Sequence, residues 1–134
     1  MIEIIAIDHL VLRTNKLESM VFFYCDVLGC TVERQTSKEV GLTQLRAGSA
    51  LIDLVTVNSQ LGKLGGGPVS LKGNNLDHFC LRLKVISPQE LTQHLTSFGL
   101  KTDEFVQRYG AQGFGESVYI RDPEGNVVEL KSQQ

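Results

Sequence analysis

The stretch Ile7-Asp8-His9-Leu10-Val11-Leu12-Arg13 returns 69 residues later as Leu76-Asp77-His78-Phe79-Cys80-Leu81-Arg82. A repeat at this period marks two copies of one supersecondary unit. Each copy reads as a strand by its branched and aromatic residues, and after each the apolar spacing switches from strand-like to helical.

In the first half, Asn15 with Glu18 three residues on resembles a helix-starting box; Leu17, Met20, Val21, Tyr24 and Leu28 line one face before Gly29 stops it. In the second half Ser87 is a natural N-cap, Pro88 suits the first helical position and Glu90 completes a capping box. Leu91, Leu95 and Phe98 form the stripe, and Gly99 ends it. Further strands are expected near 30–35, 41–47 and 50–57, and near 100–106, 116–121 and 126–131. The last pair is joined by Asp122-Pro123-Glu124-Gly125-Asn126, whose proline and glycine suit a tight turn. Residues 61 to 75, with Gly65-Gly66-Gly67-Pro68 at their centre, read as a flexible linker between modules. Each half is then β-α-β-β-β, with one helix to cover one face of its sheet. The bare faces must meet something, within the chain or between the chains of a dimer. The expected fold is α+β: two β-α-β-β-β modules, about 1–60 and 74–134 of a single domain, forming a curved mixed sheet around a metal-lined cleft.

Composition excludes several classes. The 134 residues are 42% hydrophobic and 21% charged with a formal charge of -2, so neither nucleic acid nor an anionic membrane is an expected partner. Cys25, Cys30 and Cys80 are an odd number without close spacing, which argues against a disulfide framework and fits a reducing, cytoplasmic setting. The opening Met1-Ile2-Glu3-Ile4-Ile5 begins an apolar alternation with no basic region or cleavage site, and reads as no export signal.

Side chains alternate across a strand, so neighbours indicate which way a residue points. His9 lies opposite in parity to Leu10 and Leu12, and His78 to Phe79 and Leu81, which puts both histidines on the inner face. Asp53 alternates with Ile52 and Leu54, and Glu129 with Val128 and Leu130. A carboxylate in an apolar strand needs a cation, a donor or a metal. Two imidazoles and two carboxylates suit a divalent ion such as zinc, nickel, manganese, iron or cobalt. For Asp53 the alternative is a hydrogen-bonded partner of Arg46, Arg13 or a backbone amide. Cys80 shares the parity of His78 and is expected to be a small buried hydrophobe, Arg82 a strand-end charge and His94 a solvated residue.

The paired modules, the Asp-His opening of each and the ending Arg121-Asp122-Pro123-Glu124-Gly125-Asn126-Val127-Val128-Glu129-Leu130 resemble the vicinal oxygen chelate superfamily, which includes glyoxalase I, extradiol dioxygenases, fosfomycin thiol transferases and bleomycin-binding proteins. The resemblance implies that His9, His78 and Glu129 occupy the common metal-ligand positions. It sets Asp53 where glyoxalase I has a glutamate that is both ligand and proton acceptor. Arg13 falls where that enzyme has an arginine that grips a glutathione carboxylate. Val57, however, stands where it carries an asparagine, the nearest candidate being Asn58. Arg108-Tyr109-Gly110-Ala111-Gln112-Gly113 is similar to a subgroup of small members, which makes Arg108 and Tyr109 substrate-binding candidates.

The expected activity is a metal-dependent lyase or isomerase of glyoxalase type, acting as a homodimer on a small substrate with adjacent oxygens. Glu129 and Asp53 are its available bases. Two other classes share the scaffold: an extradiol-type dioxygenase or thiol transferase, and a resistance protein that binds a drug or ligand without chemistry.

Overall fold

The computed structural model describes residues 1–132, and these form two compact units that meet between Ser70 and Leu71. The first unit runs β1 (His9–Thr14), α1 (Leu17–Val21, continued as a π-helix over Phe22–Val27), β2 (Thr31–Gln35), β3 (Leu42–Ala47), β4 (Ala50–Thr56) and α2 (Gln60–Leu64). The second runs β5 (His78–Leu83), α3 (Pro88–Ser97), β6 (Val106–Gly110), β7 (Gly113–Arg121) and β8 (Val127–Ser132). The sheet orders are β1-β4-β3-β2 and β5-β8-β7-β6, each with one parallel pair (β1 with β4, β5 with β8) and otherwise antiparallel. Both are four-stranded mixed sheets with few helices, the α+β repeat expected.

In the first unit the outward residues Leu12, Leu45, Ile52 and Leu54 are buried with Met20, Phe23, Tyr24 and Val27 of the helix. Each such side chain stabilises by roughly 1.5–3 kcal/mol when fully buried. In the second unit Leu91 and Leu95 supply the helical half of the core, and Val118, Ile120, Val128 and Leu130 the sheet half. The expected capping box is present on α3: Ser87 Oγ accepts from Glu90 N, and Ser87 N donates to Glu90 Oε2.

Several expectations are corrected. No side chain caps α1; Lys16, not Asn15, is its boundary residue, so the expected Asn15–Glu18 box is not made. The helix loosens into π geometry, with Leu28 N bonding Phe23 O, and ends at Gly29, where φ is 82°. The strand expected at 100–106 lies at Val106–Gly110, because the turn at Gly110–Gly113 sets the β6–β7 register and draws β7 back to Gly113. The linker begins with a helix, α2, capped by Ser59 accepting from Gly62 N. Phe98 is exposed at the end of its stripe, and Cys80 is exposed rather than buried.

The expected turn is held by one side chain. Asp122 Oδ1 accepts from Glu124 N and Asn126 N, both at 2.9 Å, and Oδ2 accepts from Asn126 Nδ2 at 2.8 Å, while Gly125 takes φ 87°. Among the described residues no helix is long and apolar enough to cross a membrane.

Candidate functional site

The two sheets place their chemistry in the same register. In the first, Val11 faces Asp53 across the parallel pair and Gln44 faces Asp53 across the antiparallel one. In the second, Cys80 and Tyr119 flank Glu129 in the same way. His9 and His78 stand two residues before Val11 and Cys80, on the same faces. Each unit therefore carries one imidazole and one carboxylate on the face its helix leaves bare, as parity predicted.

Each imidazole is aimed by the residue before it. His9 Nδ1 lies 2.6 Å from Asp8 Oδ2, and His78 Nδ1 lies 2.6 Å from Asp77 Oδ2. A carboxylate at Nδ1 fixes the proton there and leaves Nε2 as an acceptor or ligand. The Asp8 hydrogen bond raises the His9 pKa above 6.5; partial burial opposes this, and the charge of Asp53 adds to it.

Asp53 is 3% exposed, and Gln44 Nε2 donates to its two oxygens at 3.3 and 3.1 Å. Arg46, one of the partners considered for it, pairs with Glu33 at 2.6 Å instead. Arg13, the other, gives its Nη2 to the Gly62 and Gly66 carbonyls, with its Nε buried and unbonded among the described residues. Gln44 was missed in the sequence, since only the β3–β4 register shows that it stands opposite Asp53.

Glu129 is 6% exposed. Its Oε1 lies 3.3 Å from His78 Nε2, and its Oε2 accepts from Cys80 Sγ at 3.5 Å. Partial burial of the sulfur, with the Glu129 carboxylate beside it, pushes the Cys80 thiol up to about 12, so it is protonated at neutral pH. Tyr119 meets His78 edge-on with ring centroids 5.2 Å apart, and the Arg108 guanidinium lies 4.3 Å above the Tyr119 ring. Arg108 Nη1 also donates to Ser117 O and Oγ, both at 2.8 Å. Tyr109 points to the opposite face, exposed and packed against Phe114. Val57 is buried and Asn58 exposed.

A cavity of about 860 Å³ in the first unit opens between the start of α1, the 36–41 loop and the end of β4; Asn58 lines it, and neither the histidines nor Asp53 do. Among the described residues no group of three His, Cys, Asp or Glu side chains is gathered to hold a metal. What each unit offers is a pair of donors.

A family model described as the Glyoxalase/Bleomycin resistance protein/Dioxygenase superfamily matches residues 6–130. The chain belongs to this superfamily. It is similar to a glyoxalase domain-containing protein, RDO1, of Mycosarcoma maydis, 30% identical over 130 residues, which are 96% of this chain and 69% of that protein. Among solved structures it resembles a protein from the mobile metagenome of V. pseudocholerae (26% identity, TM-score 0.76, 100% of this chain and 98% of that one). It also resembles a virulence protein from Salmonella typhimurium (26% identity, TM-score 0.72, 99% of this chain and 100% of that one). The superfamily and the repeated fold expected from the Asp-His repeat and the Asp-Pro-Glu-Gly-Asn ending are thereby established.

Proposed function

We propose that this protein is a metal-dependent enzyme of glyoxalase type, a lyase or isomerase for a small substrate with two neighbouring oxygens. His9, Asp53, His78 and Glu129 are its metal ligands. The observation that carries the reading is the meeting of His78 Nε2 and Glu129 Oε1 at 3.3 Å. In the tautomer that carries its proton on Nδ1, beside Asp77, Nε2 and the Glu129 oxygen are both acceptors, at a separation that suits two ligands of one cation. Each unit supplies an imidazole and a carboxylate, borderline-to-hard donors of the kind that suit zinc, nickel, manganese, iron or cobalt.

A bound divalent ion supplies Lewis acidity toward oxygens on which negative charge develops. The chain's own residues do the rest. Asp8 and Asp77 hold the two imidazoles. Glu129 and Asp53 are the bases that take a proton from a carbon beside the substrate's oxygens, and Gln44 holds the Asp53 carboxylate in one orientation. Of the substrate-binding candidates Arg13, Arg108 and Tyr109, Arg108 lies on the same sheet face as Glu129, stacked on Tyr119, where its charge attracts an anionic group.

The experiment is metal analysis by mass spectrometry on untagged protein purified without chelator, beside a His78→Ala variant. About one ion per chain, lost in the variant, is the expected result. No metal even after incubation with each candidate ion overturns the reading in favour of a protein that sequesters a ligand without chemistry.

A further inference from the structure

The two units share one plan but differ between their second and third strands. In the second unit Ala111-Gln112 alone joins β6 to β7, whereas in the first the longer segment 36–41 joins β2 to β3. That loop is tied down. Gly41 N donates to Ser37 O at 2.9 Å, Gln60 N to Glu39 O at 2.8 Å and Leu61 N to Val40 O at 3.2 Å, which fixes it to the start of α2. It walls the cavity of about 860 Å³, a volume in the range of small-molecule sites, and every residue of the lining belongs to the first unit. Thr43 of β3, on that lining, is 4% exposed, yet its hydroxyl makes no hydrogen bond among the described residues. It precedes Gln44, which faces Asp53, so Thr43 points to the other face of the sheet. A buried hydroxyl with no protein partner is costly unless something in the cavity bonds it.

We infer that this cavity is a second binding site, for a small uncharged polyhydroxy compound, a sugar or a polyol. Thr43, Thr56 and Ser59 bring hydroxyls to the lining and Asn58 an amide. Such groups both donate and accept, as the hydroxyls of a polyol do. The charged groups there, Lys16 and Lys38 against Glu18 and Glu39, balance in sign, and all four are exposed. A bare anion would give up its water with no buried cation to meet it, and an apolar ligand would leave the Thr43 hydroxyl unpaired. Among the described residues no aromatic side chain lines the cavity, so a flat ring finds nothing to stack on. The site stands apart from the proposed metal ligands, since neither His9 nor Asp53 lines it.

The test is an NMR titration of the isotope-labelled full chain with glucose, myo-inositol and sorbitol, each to about 50 mM, a range that reads millimolar dissociation constants. Inorganic phosphate and benzoate are run beside them as the anionic and aromatic alternatives. The expected result is saturable shifts at the amides of 36–43 and 56–59 with at least one of the three polyols, and none there with phosphate or benzoate. Thr43→Val, which keeps the shape and removes the hydroxyl, should weaken that binding by about 10-fold, with circular dichroism to confirm that the sheets form. Asn58→Ala, at an exposed position that leaves the core alone, should weaken it by less. Binding of none of the three polyols, phosphate or benzoate bound there as tightly, or variants that bind as wild type, overturns the inference. Metal analysis of the same samples keeps the two readings apart: a protein that binds the polyol but no metal refutes the enzyme and not this site, and a metal-loaded protein that binds no polyol does the reverse.

Discussion

Replacing Asp122 by alanine tests the structure without reference to any reaction. Its side chain is 4% exposed and accepts three hydrogen bonds, two from backbone amides and one from Asn126 Nδ2. The alanine variant leaves the Glu124 amide buried without that acceptor, which costs about 1–3 kcal/mol. The Asn126 amide and side chain are half-buried and recover part of their loss from water, adding about 1 kcal/mol. The total is about 3 kcal/mol, or roughly 10 °C in melting temperature for a chain of this size. Asp122→Asn keeps an oxygen for the amides but turns a donor toward Asn126 Nδ2, so about half the loss is expected. Urea unfolding followed by circular dichroism reads both variants, provided the transition is two-state and the slope is unchanged. A loss below about 1 kcal/mol for the alanine variant would refute the claim that one carboxylate holds this turn.

In metal-free protein, the His9 imidazole followed by NMR is expected to titrate above 6.5, and Asp8→Asn to bring it down. Because the folded value is raised, the contribution to stability is complete below about pH 6.5 and is lost as pH rises through the folded midpoint; a midpoint below 6.5 contradicts the Asp8 contact. Asp77→Asn, which weakens the orientation of His78, should lower affinity for an added divalent ion by about 10- to 100-fold in a chelator competition, and an unchanged affinity removes Asp77 from the site. A Cβ on Gly62 would overlap the Thr56 carbonyl, whereas one on Gly110 would meet the far end of the Lys131 side chain, Nζ at 2.7 Å, which can shift more readily than backbone. Gly62→Ala should therefore destabilise by about 3 kcal/mol or more and Gly110→Ala by about 1, and the reverse order in urea unfolding would contradict the packing around α2.

The fold was legible where a local signal and the global pattern agreed. Ser87, Pro88 and Glu90 mark the start of α3 because capping chemistry is short-range, and parity alone puts His9, Asp53, His78 and Glu129 on the bare faces of their sheets. Pairing information is not local, and there the reading stopped. Gln44 is an unremarked polar residue until β3 is set against β4, and Tyr119 is one until β7 is set against β8. The strand expected near 100–106 lies later in the chain, because the turn beyond it decides where β6 lies. The role of Asp8 and Asp77 was visible only as repetition, since a carboxylate's reach to the ring nitrogen beside it is a matter of rotamers. Cys80 was expected inside because cysteine is so often buried, but it stands on an edge strand beside a carboxylate.

In each unit the carboxylate of the candidate site lies on the strand made last and inserted in the middle, Asp53 on β4 between β1 and β3, Glu129 on β8 between β5 and β7. The histidine, on the first strand, waits for it. Assembling the donors and closing the sheet are thus one event, with a long loop to close before any contact rewards it. An emerging or partly unfolded chain holds His9 and His78 without Asp53 and Glu129 at their side. On the proposed reading such a chain is a poor scavenger of ions, and metal capture would be a privilege of the finished protein.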